Sequence, residues 1–181
     1  DSTFYRCIVT NEAGSVTSYE ATLHLIKRFT LTIKELTSTR DLGAFDEESK
    51  INIEALTPEG YRFIKWQVIE GVSPDNLNQS NTSITLTSNT TLQAFFIPQY
   101  TLTINHGSGS GTYDKDQSIT ITSDPAETGL EFDRWQIDSG NPNIEDLHSP
   151  TTQVTLTDGN ATLTAIYQKD ITPPIITFSS P

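Results

Sequence analysis

Methionine is absent from this 181-residue chain, cysteine occurs once and tryptophan twice. The lone Cys7 has no CxxC partner and no adjacent histidine, which removes the redox and catalytic-thiol readings. Basic residues are also scarce, 11 against 23 acidic ones, for a formal net charge of −12. Such a surface repels polyanions, and no basic stripe with interleaved aromatics offsets it, so nucleic acid is excluded as a partner. No apolar run approaches the roughly 20 residues that span a bilayer, so no transmembrane segment is expected. The opening DSTFYRC is not a signal peptide, and any export signal or anchor is expected outside this chain.

Catalytic patterns are missing as well. His24, His106 and His148 are widely spaced and make no HxxxH pair, so they are expected on the surface rather than around zinc. There is no GxSxG elbow, and Asp114, Asp116, Glu131 and Asp133 fall on expected turns or solvent-facing strand positions, with no cleft to hold an acid pair. The run from His106 to Gly111 looks like a phosphate loop but continues into a hairpin instead of a helix. The chain therefore reads as non-catalytic and without a cofactor; structural calcium is the one ligand its acidic surface leaves open. The sequons at Asn78, Asn81, Asn89 and Asn160 carry no argument.

What is present is threonine, serine and asparagine throughout, with 34% hydrophobic residues, enough for small β-sheet cores. Alternation with period two marks one apolar face and one threonine face. It runs through Phe29, Leu31 and Ile33; Ile51 and Ile53; Ile84 and Leu86; and Leu92, Ala94 and Phe96. The same series follows in Tyr100, Leu102 and Ile104; Ile119 and Ile121; Val154 and Leu156; and Leu163, Ala165 and Tyr167. Gly107, Gly109 and Gly111, and Asp158-Gly159-Asn160, read as hairpin turns. The inserts GVSPDNLNQS and SGNPNIEDLHSP read as loops with room for one short helical turn each.

The chain also repeats itself. FTLTI at 29–33 returns as YTLTI at 100–104, and YRFIKW at 61–66 returns at nearly the same offset as LEFDRW at 130–135. Trp66 and Trp135 each follow a phenylalanine, Phe63 and Phe132, by three positions, which on a flat strand puts the two rings on opposite faces and so implies a bulge, a bend or two-sided burial. Each tryptophan is read as the core anchor of its module, against the alternative of an exposed platform for stacking on sugars.

Two resemblances follow. Asp1, Tyr5, Cys7, Val9, Asn11 and Gly14 are similar to the D-x-x-x-Y-x-C-x-V-x-N-x-x-G signature of intermediate-type immunoglobulin-like domains, over the last two strands only, with Thr3 where that family has Ala or Gly. Residues 1–27 read by themselves as two strands, FYRCIVTN and SVTSYEATLHLI, joined at Glu12-Ala13-Gly14; the resemblance implies Tyr5 as a tyrosine-corner residue and a Cys7 orphaned because strand B is missing. Residues 29–168 resemble the divergent internalin B-type repeat of bacterial surface and secreted proteins. The resemblance rests on Tyr100–Ile104, Gly107–Tyr113, Ile119–Thr122, Gly129 to Trp135 and Thr164–Tyr167, while ELTSTRDLGAF departs from it at the first turn.

The expected fold class is all-β, small β-rich modules in a beads-on-a-string array behind a partial immunoglobulin-like sandwich. The segments are 1–27 (hairpin), 28–98 (module 1), 99–169 (module 2) and 170–181 (a linker or the start of another immunoglobulin-like domain). The expected role is an extracellular spacer, stalk or filament segment whose partners are other domains or copies of the same protein. Its rival is a carbohydrate- or protein-binding module of an adhesin or secreted polysaccharide-degrading enzyme, which takes glycans or matrix polymers through the loops at 71–82 and 138–151. A third reading has the hairpin completed by strands of another chain.

Overall fold

The structure, a computed structural model, describes residues 2–171. The segment read as the start of a further domain lies, from residue 172 on, outside the described residues. All described elements are strands, as β-branched and turn-forming composition dictates.

The N-terminal segment forms β1 (Ser2–Tyr5), β2 (Ile8–Asn11), β3 (Gly14–Thr17) and β4 (Ala21–His24). Strand β2 pairs antiparallel with β3, and β1 with β4. The expectation of two long strands is corrected to four short ones; the ladder breaks where the Ser18 hydroxyl, instead of a carbonyl, accepts the Cys7 N–H at 2.9 Å. Asn11 Oδ1 caps the turn by accepting the Ala13 N–H at 2.8 Å.

The chain divides into two compact units, one running to Leu56 and resuming over Phe63–Phe95, the other comprising Thr57–Arg62 and the chain from Phe96 onward. The first unit holds β5 (Arg28–Lys34), β6 (Thr39–Asp46), β7 (Lys50–Glu54), most of β8 (Tyr61–Glu70), β9 (Asn81–Thr85) and the first part of β10 (Thr90–Asn105). One sheet joins β6, β5, β10 and β8, with β5 parallel to β10 from Leu31↔Thr90 to Lys34↔Gln93. Strands β7 and β9 make a second, antiparallel pair. Leu31, Ile33, Leu92, Ala94 and Trp66 on the first sheet and Ile53 and Ile84 on the second are all buried.

The second unit repeats this plan. It holds the end of β10, then β11 (Gly107–Ser108), β12 (Gly111–Asp114), β13 (Ser118–Ser123), β14 (Leu130–Ser139), β15 (Asn143–Ile144), β16 (Thr151–Thr155) and β17 (Ala161–Lys169). One sheet runs β14-β17-β10-β12 and the other β11-β13-β16-β15. Strand β17 lies parallel to β10, from Leu102↔Ala161 to Asn105↔Thr164. Leu102, Ile104, Trp135, Leu163 and Ala165 from one sheet and Ile119, Ile121 and Val154 from the other form a single buried cluster.

Three expectations on turns are corrected. The glycine run is no simple hairpin: Gly107 and Ser108 cross to pair with Ser123 and Thr122 of the other sheet, and only Gly109 of the three glycines has φ in the left-handed region, at 114°. A Cβ on Gly107 would lie 2.6 Å from the Thr122 carbonyl oxygen and 2.9 Å from Trp135 Cη2, so this glycine is required by close approach. Asp158-Gly159-Asn160 is likewise no hairpin, because β16 and β17 belong to different sheets. The inserts hold no helical turn among the described residues; Asn76 Oδ1 accepts the Asn78 N–H and Asp146 Oδ1 the His148 N–H, and these side-chain bonds replace helical ones.

Candidate functional site

Each repeat ties a long insert to its tryptophan. Trp66 and Trp135 are each 1% exposed. Their indole N–H groups donate to the Gln79 carbonyl at 2.9 Å and the Ser149 carbonyl at 3.1 Å, and their backbone N–H groups to Leu77 and Leu147 at 2.7 and 2.8 Å. Inside the inserts Thr82 Oγ1 accepts the Asn76 N–H, as Thr152 Oγ1 accepts the Asp146 N–H, and Pro74 and Pro142 are buried. The loops at 71–82 and 138–151 are thus built scaffolding, and neither indole has a face free for a sugar.

The spacing of phenylalanine and tryptophan is resolved by a bulge. Phe132 faces Tyr167, Arg134 faces Ile166 and Trp135 faces Ala165, so Asp133 is the extra residue that returns Phe132 and Trp135 to one side. Their rings lie 5.6 Å apart, tilted by 59°, and those of Phe63 and Trp66 lie 5.5 Å apart at 58°. Tyr167 closes the second cluster edge-on, 6.1 Å from Phe132. Tyr5 and Cys7, far from these clusters in sequence, are exposed, Cys7 as a free thiol.

Three of the four carboxylates considered for acid-base chemistry are engaged by neighbouring side chains. Asp114 accepts from the Arg62 guanidinium and, at 3.0 Å, from Gln99. Asp133 pairs with Arg134, Glu131 accepts from Gln168 at 2.9 Å, and Asp116 sits in a turn with φ of 63°. No cluster of three or more metal-ligating side chains occurs among the described residues. The Arg62 hydrogen bond, above all, holds the Asp114 carboxyl below the usual range, and Asp138 is lowered in the same direction by Thr164 and Gln136. A depressed folded value stabilises fully above the unfolded value of about 3.9 and is lost as pH falls through the folded one. Urea melts from pH 5 to pH 2 are therefore expected to show a steep acid loss that Asp114→Asn makes shallower; an identical slope in the variant would refute the pairing.

Two groups escaped sequence reasoning. Glu35 is 9% exposed and accepts from Arg40 at 2.9 Å, Ser38 at 3.0 Å and the Leu56 N–H at 2.9 Å. Its only signal was the charged substitution of the glycine-rich turn, in ELTSTR. Asn89 and Asn160 accept the Thr30 and Thr101 N–H groups at 2.9 and 2.8 Å, a pair legible only as asparagines at matching places in the two copies.

The sequence model of one family, the divergent InlB B-repeat domain, matches residues 30–99 and again 100–171. No curated protein and no solved structure matches the chain.

Proposed function

Because the chain belongs to the divergent InlB B-repeat family, with two tandem copies, we propose that it is a non-catalytic, load-bearing spacer that extends other domains of the same polypeptide from a bacterial surface. Repeats of this family are typical of bacterial surface and secreted proteins. The observation that carries the reading is the pairing of each repeat's first and last strands. In the first unit β5 lies parallel to β10, and in the second β10 lies parallel to β17, each over four residue partners. Tension applied through the chain then pulls the two strands in opposite senses along their length. The hydrogen bonds between them run across the strands and load together instead of opening one after another. Asn89 and Asn160 add a side-chain bond where each pair begins.

Single-molecule pulling on the chain tests this. Two unfolding events are expected, each releasing about 230–250 Å for about 70 residues of chain. Pulling the second unit by residues 100 and 161, at the same end of the β10–β17 pair, is expected to open it at a much lower force. Equal forces in the two geometries would overturn the spacer reading.

A further inference from the structure

Strand β17 is flanked by β14 on one side along its length, but by β10 on the other only from Ala161 to Thr164. The reason is local: His106 takes φ of 58° and turns the chain away into β11 on the other sheet. Beside Ala165, Ile166 and Tyr167 the sheet edge instead meets an open groove of about 510 Å³, walled by His106, Asp124, Pro125, Glu127 and Leu130. The Tyr167 hydroxyl donates to the Asp124 carbonyl at 2.7 Å, which braces one wall.

The first unit differs at the corresponding place. There Glu35, which holds the place of His106 in the first copy, turns its carboxylate inward to Arg40, Ser38 and the Leu56 N–H. In the second unit the Asp124 N–H, counterpart of that of Leu56, bonds the His106 carbonyl oxygen at 2.9 Å. The imidazole is left at the rim with no hydrogen-bond partner among the described residues. Asp124 and Glu127 are exposed and make no ion pair among the described residues.

We propose that this groove binds an extended basic peptide, which adds as a strand to the edge of β17. Backbone groups on the open edge supply the ladder, while alternate side chains meet the groove: cations at Asp124 and Glu127, an apolar residue against Pro125 and Leu130. Charge selects the occupant. A second copy of this chain, at −12, is repelled, as is any polyanion.

The test is calorimetric titration of the full chain with a ten-residue peptide of alternating lysine and valine, read alongside amide NMR shifts. Saturable binding is expected, with shifts at Ala165–Tyr167 and none at the corresponding Ala94–Phe96. Asp124→Asn with Glu127→Gln is expected to weaken binding by about tenfold or more. The same peptide N-methylated at alternate backbone nitrogens keeps its charge but cannot complete a ladder, and is expected not to bind. Equal binding of the methylated peptide, an unaffected double variant, or no saturable binding would each overturn the proposal. None of these touches the spacer reading, which rests on the parallel strand pairs.

Discussion

Trp135→Ala is expected to destabilise the second unit by about 3–5 kcal/mol, the range for truncating a large buried aromatic. The indole is 1% exposed and sits between two sheets, packed with Leu102, Ile121, Val154 and Leu163, so its removal leaves a cavity those β-strands cannot collapse into. Two further losses accompany the cavity. The Ser149 carbonyl loses its donor, and the insert that holds Pro142 and Ile144 loses its indole tether, while the Trp135 N–H to Leu147 bond and the pairing of β15 with β16 remain. Trp135→Phe separates the terms by filling most of the cavity without restoring the hydrogen bond, and is expected to recover most of the stability. One tryptophan per unit makes the readout direct: in Trp135→Ala the surviving Trp66 reports the first unit by fluorescence, while circular dichroism follows both. A loss under about 1 kcal/mol would mean the indole is exposed and would restore the platform reading.

Gly140→Ala is expected to cost about 2–5 kcal/mol, as the sum of two separable effects. Gly140 has φ of 79°, which L residues adopt at about 1–2 kcal/mol. A Cβ there would also overlap the Asn160 carbonyl oxygen and stand 2.9 Å from Ala161 Cα, backbone that holds the start of β17. Gly71 has the same pair of constraints, with φ of 88° and a Cβ that would overlap the Asn89 carbonyl oxygen. Other glycines isolate the terms. Gly129 has φ of 81° and open space, so Gly129→Ala carries strain alone, whereas Gly107 has no such φ and overlap alone. Gly159 has neither, so Gly159→Ala is expected to be neutral or to stabilise by about 0.4–1 kcal/mol through the unfolded chain. Thermal melts of the four variants should rank Gly140 worst and Gly159 harmless; a Gly140 variant no worse than Gly129 would remove the overlap from the account.

Much of this was legible in the residues. The period-two series named the buried face almost residue by residue: Leu31, Ile33, Ile84, Leu86 and Leu92, then Leu102, Ile104, Ile119, Ile121, Val154, Leu156 and Leu163, are all buried. The internal self-similarity established two copies of one plan, and the family match covers both. The Phe-x-x-Trp spacing demanded an irregularity, found as the bulge at Asp133. These signals are local, because side-chain alternation and repeat spacing are written along the chain itself.

Partner choice was not local, and only the tertiary structure decided it. Alternation says which face of a strand is buried and nothing about which strand lies beside it, so the parallel neighbours β5 with β10 and β10 with β17 could not be read from spacing. The glycine run looked like a turn because glycine serves turns and close approaches alike; the Trp135 ring pressing on Gly107 selects the second. Glu35 looked like a surface charge until Arg40, Ser38 and Leu56 were folded around it. The sequence determined the strands, their faces and their number of copies through short-range chemistry. The fold determined the parallel strand pairs, the half-buried Glu35–Arg40 ion pair and the open edge of β17, because each depends on groups that only folding brings together from separate stretches of the chain.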